Sequence, residues 1–132
     1  MPHLNPAIGL ADLIDGAGVA SLGGNLFVGL VRPVSDVIPA EAVFVMGTDG
    51  LPADRFFAQA DEVRYPTVQI RIRSPDYESG YKLARDVYNV CQSSLPVGFK
   101  DVVARQSEPI YLAQDENKNH GWSLNFDLFY QE

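Results

Sequence analysis

Pro66-Thr67-Val68-Gln69-Ile70-Arg71-Ile72-Arg73-Ser74-Pro75-Asp76-Tyr77 alternates as far as Arg73 and then changes character. Successive side chains of an extended strand point to opposite faces, so Val68, Ile70 and Ile72 share one face while Thr67, Gln69, Arg71 and Arg73 share the other. Ser74-Pro75-Asp76 then reads as a helix start: Ser74 can cap, Pro75 suits the first helical position, and Asp76 sits well at the positive helix end. Beyond it Tyr77, Tyr81, Ala84, Val87, Tyr88 and Cys91 recur at spacings of three and four, with Glu78, Lys82, Arg85, Asp86, Asn89 and Gln92 elsewhere. That period predicts a helix with one apolar face turned to the sheet. Glu78 and Lys82, four apart in the favourable order, add a small attraction on its exposed side.

Working outward, Leu95-Pro96-Val97-Gly98 ends the helix, and Asp101 to Gln106 with Ile110 to Ala113 predicts a strand interrupted at Pro109. After a polar loop from Gln114 to Gly121, Trp122, Leu124, Phe126, Leu128 and Tyr130 alternate with Ser123, Asn125 and Asp127, which predicts a strong amphipathic strand. Toward the amino end, Leu26 to Val31 and Ala42 to Met46 are apolar on both faces and predict two interior strands joined through Pro33 and Pro39. Thr48-Asp49-Gly50-Leu51-Pro52 reads as a turn and Ala53 to Tyr65, with no clean period, as a loop. Asn5-Pro6 offers an N-cap and a first-turn proline for a short helix carrying Ile8, Leu10, Leu13 and Ile14. The expected architecture is α+β, a mostly antiparallel sheet with two helices packed on one face, and residues 1–132 are expected to form one domain.

Composition narrows the function. Hydrophobic residues make up 46% of the 132 and charged residues 20%, a balance that supports a buried core. The net charge is −7 and no Lys/Arg block occurs, so the broad attraction to phosphates that drives binding to nucleic acid or anionic lipid is missing. Such a surface suits a protein past which DNA slides without sticking. Cys91 is the only cysteine, which rules out an intrachain disulfide and a cysteine-built zinc site and fits a reducing compartment. The start Met1-Pro2-His3-Leu4-Asn5 lacks a secretory pattern, and the longest uncharged run, Gly16 to Val31, is too short and glycine-rich for a membrane span, so no membrane partner is expected.

No set of residues announces chemistry. Gly47-Thr48-Asp49-Gly50 lacks the lysine and the following helix of a phosphate loop. Asp115, Asn117 and Asn119 imitate the oxygen spacing of a calcium loop, but His120 stands where that loop needs glycine and Phe126 where it needs a bidentate glutamate. His3 and His120 have no second ligand at a metal-binding spacing, no Gly-x-Ser-x-Gly turn exists, and Cys91 falls on the apolar helix face. Neither a cofactor, a metal nor an enzymatic activity is expected. Arg71 and Arg73 share one surface, for which two readings stand. They pair across strands with carboxylates such as Asp127, or they meet a neighbouring copy or another protein, where a planar guanidinium suits carboxylates. Phe56 and Phe57 within Asp49 to Tyr65 either close the core edge or belong to a binding loop.

The stretch from Pro66 to Tyr77 with its helix, and Gln114-Asp115-Glu116-Asn117 leading into Trp122-Ser123-Leu124-Asn125-Phe126, resemble the phage minor capsid and tail-terminator family. In that family a V-Q-I-R-x-R strand precedes a tyrosine-bearing helix, and an acidic turn leads into a final strand. The resemblance covers about the second half of the chain and implies a non-enzymatic α+β subunit of the virion, assembled in the host cytoplasm. It further implies a homo-oligomeric ring, typically hexameric, seated on the tail-tube protein, halting its polymerisation and presenting a surface to the head connector. DNA would only pass through the lumen. A head-completion or head–tail connector subunit is the alternative within the same class. The interface candidates are Arg71, Arg73, Phe56, Phe57 and Asp115.

Overall fold

The computed structural model describes residues 4–29, 40–55 and 62–131. Its elements follow in the order α1 (Pro6–Gly16), β1 (Leu26–Val28), β2 (Ala42–Arg55), β3 (Glu62–Ser74), α2 (Tyr77–Ser93), β4 (Asp101–Ala104), β5 (Ile110–Gln114) and β6 (His120–Gln131). The strands make one sheet in the order β1-β2-β3-β6-β4, with β5 also on β6. Every pairing is antiparallel except β1 with β2, so the α+β architecture read from the sequence is the one observed.

The two strongest alternations lie side by side at its centre. Val68, Ile70 and Ile72 of β3 are at most 1% exposed, and they face the same side as Trp122, Leu124, Phe126, Leu128 and Tyr130 of β6, all buried. Both helices cover that side, α1 over β1 and β2, α2 over β3, β6 and β4. Asn5 caps α1 by accepting the Ile8 amide at 3.2 Å, with Pro6 first in the helix, and Leu10, Ala11 and Ile14 are fully buried. Gly80 of α2 lies so close to β6 that a Cβ there would run into the Trp122 ring, which explains a glycine in mid-helix despite its low helix propensity.

Several local expectations are corrected. Thr48 to Pro52 does not turn and residues 53–65 are not simply a loop: β2 continues to Arg55 and β3 begins at Glu62. Two register shifts absorb the turn-like residues, with Asp49 and Gly50 opposite the single Pro66, and Pro52 and Ala53 opposite the single Arg64. Such β-bulges accept glycine and proline, which a regular ladder penalises. A Cβ on Gly50 would clash with the Tyr65 carbonyl. The first strand is shorter than expected and, among the described residues, is an edge and not an interior strand: it ends at Val28, where Gly29 turns away with φ +71°.

Helix α2 starts later and faces differently from its reading. Asp76 is the N-cap, accepting the Ser79 amide at 2.9 Å, while Ser74 ends β3, donates to Glu41 at 3.1 Å and accepts the Asp76 amide at 3.2 Å. The buried stripe is Gly80, Leu83, Ala84, Val87 and Cys91; Tyr77 and Tyr81 are exposed at its margin. Tyr81 donates to Glu108 at 2.6 Å, and Arg85 pairs with the same carboxylate at 3.2 Å, holding the chain between β4 and β5 against the helix. Lys82 pairs forward with Asp86 at 2.9 Å. As expected, the strand around Pro109 is interrupted: β4 and β5 lie along the same edge of β6, with 105–109 bulging between them.

Candidate interface site on the sheet face opposite the helices

Among the described residues no helix lies over the other side of the sheet. Directly opposed residues of paired strands point the same way, so one row across it reads Phe27, Phe44, Arg71, Ser123, Ile110, and the next reads Ala42, Arg73, Gly121, Ala113. Small residues on β6 leave a hollow between the arginines of β3 and the edge strand β5. It is a cleft of about 370 Å³ lined by Phe44, Arg71, Arg73, Leu112, Asp115 and Trp122 among others. The structure therefore brings three of the expected interface residues, Arg71, Arg73 and Asp115, to one site. Phe56 and Phe57 lie outside the described residues.

The two arginines differ in what holds them. Arg73 is half-buried, donates to the Ala40 carbonyl at 3.3 Å and stands 5.8 Å from the Phe44 ring centre, which itself stacks on Phe27 at 5.6 Å. A cation over a ring face gains electrostatic attraction and covers apolar surface with its stem. Arg71 is exposed between Phe44 and Ser123. The cross-strand pairing with Asp127 does not occur. Asp127 lies opposite Thr67, and Arg105 takes its carboxylate at 2.8 Å.

Asp115 closes the tip of the β5–β6 hairpin. Its carboxylate accepts the Asn117 and Asn119 amides at 2.8 and 3.0 Å, and Lys118 takes a left-handed φ of 62° between them. These amides, that of Asn119 foremost, together with the charge of Arg73 hold the Asp115 carboxyl below the ordinary carboxylate range. The calcium-like spacing thus serves to pin a turn. His120 is not a loop residue: it opens β6 and joins Tyr77, Tyr111 and Trp122 in a cluster of rings with centres 5.3 to 6.1 Å apart. Its Nδ1 lies 2.8 Å from the Tyr111 hydroxyl. This cluster backs the cleft and fixes β5 against α2.

Sequence reading missed the hydrophobic half of the site. Phe44 joins the arginines only through the β2–β3 register. Ile110 and Leu112, 45% and 44% exposed, look like ordinary strand residues until the strand is known to be an edge. Burial pushes the Cys91 thiol up to about 12, which keeps it neutral, and among the described residues no group of three or more His, Cys, Asp or Glu could hold a metal ion. No helix among the described residues is long and apolar enough to cross a membrane.

Among the described residues the sheet carries both helices on one side and a cation-and-apolar cleft on the other, an α+β build. Residues 13–132 match the family described as bacteriophage tail terminator protein, and the chain belongs to that family. Its members are structural components of the virion tail. No curated protein matches the chain.

Proposed function

We propose that the protein forms a ring on the head-proximal end of the phage tail tube, stops addition of tube protein there and presents its other side to the head connector. Family membership across residues 13–132 is the observation that carries this reading. Physically, a ring arises when one patch of a subunit binds a different patch of the next and the rotation closes; a cap arises when one ring face matches the tube end and the opposite face cannot add more tube protein. The partners on this reading are further copies of the chain, the tube protein and the connector. The acidic balance, 17 Asp and Glu against 10 Lys and Arg, lets DNA pass the lumen without being held. Small interfaces gain strength together when a ring closes, so a free monomer in dilute solution is compatible with it.

The test is tube length. Purified tail-tube protein polymerised with increasing amounts of this protein should give progressively shorter, capped tubes in electron micrographs. Unchanged lengths at saturation, together with binding to portal-containing heads, would replace termination by the head-completion role.

A further inference from the structure

We infer that the cleft beside Arg71 receives the acidic, apolar outer face of α1 from a second copy of the chain. This names the contact surfaces of the proposed ring and rests on that reading for the contact to repeat into a closed assembly. Among the described residues nothing hydrogen-bonds or ion-pairs with the exposed Arg71, whereas Arg73 beside it is anchored by Ala40 and Phe44. Phe44 and Leu112 line the cleft with Arg71, and Ile110 lies in the same row across the sheet beyond Ser123; Ile110 and Leu112 are almost half exposed on an edge strand that carries no charge. Unprotected apolar edges are rare on isolated folds and ordinary where a neighbour covers them. A planar cation rimmed by hydrocarbon selects a carboxylate that is itself flanked by apolar groups.

The chain presents that complement, and presents it elsewhere. Residues 4–29 contain Asp12 and Asp15 and no Lys, Arg or His. Asp15 already accepts the Leu22 amide at 3.2 Å; Asp12 is exposed on α1, in a groove of about 570 Å³ shared with Ile8, Leu95 and Val97, which are 47%, 53% and 94% exposed. A ring needs a heterologous contact, patch to different patch, and α1 supplies the different patch. Position permits this: α1 packs over β1 and β2, at one edge and on the helix side, while the cleft adjoins β5 at the other edge and on the opposite side. One copy can thus offer α1 and receive a neighbour's α1 at once, which is the condition for a closed ring.

The experiment uses the full chain carrying Arg71→Cys and Asp12→Cys together, with buried Cys91 left in place. A short bis-maleimide cross-linker is applied at low and high protein concentration and on tube ends, and products are resolved on denaturing gels. A ladder of covalent multimers is expected from the double variant, and heterodimers alone from a mixture of the two single variants. In parallel, Arg71→Glu should weaken self-association about tenfold, with Asp12→Arg restoring it in the combined variant while the unfolding midpoints stay together. Self-cross-linking of Arg71→Cys as efficient as that of the mixture, or no ladder under any condition, overturns the inference. If wild-type protein caps tubes but no ladder forms, this contact falls and the terminator role stands; a ladder without capping gives the reverse.

Discussion

The two faces of β3 are made of alternating residues from one short run, yet they answer to different partners. Val68, Ile70 and Ile72 are sealed under α2 and its neighbours at 1% exposure or less, whereas Gln69, Arg71 and Arg73 remain at the surface, with Gln69 donating to Ser123 at 3.1 Å. The helix side is held by area removed from water, a force without direction that rewards any close fit. The open side is held by directional contacts and shaped by what β6 leaves empty. Damage to the first should cost folding, and damage to the second should cost assembly.

The sharpest break of that distinction would come at the contact of α2 with the sheet. Trp122→Ala removes the largest fully buried side chain and should cost about 3–5 kcal/mol, read as a fall in the urea midpoint. Gly80→Val drives a branched side chain into the same ring and should be comparably severe. If either variant unfolds like wild type, the covered face is not the source of stability. Ile70→Ala, in the middle of β3 and fully buried, should follow at about 2–5 kcal/mol.

On the open face, Arg71→Ser should leave thermal unfolding within a few degrees, since surface changes commonly stay near ±0.5 kcal/mol, whereas Arg73→Ser also gives up the Ala40 and Phe44 contacts and should cost more. Virion yield or ring formation should drop sharply with Arg71→Ser. An Arg71→Ser variant that fails to fold would make that arginine an internal partner and erase the contrast between the faces.

A smaller effect is expected in acid. The Ser79 amide at the helix start holds the Asp76 carboxyl below its ordinary value of 3.8, and the amides of the hairpin tip do the same for Asp115. A carboxyl lowered in the folded state contributes stability that is fully present above its unfolded pKa. That contribution is lost as pH falls through the folded value, so the losses begin below pH 3.8. Asp76→Asn keeps a capping oxygen but cannot titrate, and should flatten this part of the pH–stability curve. Equal acid slopes for the two proteins would remove the cap from the account.

How much was legible beforehand follows from the range of each interaction. The strand Pro66–Arg73, the alternation from Trp122 to Tyr130, the Asn5-Pro6 helix start and the break at Pro109 all register within a few neighbouring residues, and all were found where expected. The stretch from Thr48 to Tyr65 misled for the same reason. Thr-Asp-Gly-Leu-Pro has turn chemistry locally, and only pairing with β3 turns it into two bulges of a long strand. Tyr77 and Tyr81 fit a helical period, but which way that helix turns is settled by the space Gly80 leaves for Trp122, some forty residues away in the chain.

By itself, then, the order of residues determined the α+β class, the apolar and polar faces of the central strand and the family likeness in the second half, because periodicity and composition are properties of short stretches. The tertiary structure alone decided that β1 is an edge, that Asp127 belongs to Arg105, and that Arg71, Arg73 and Asp115 meet Phe44 and Leu112 around one cleft. Those outcomes depend on strand order and register, which are set by the summed fit of distant side chains on both sides of the sheet.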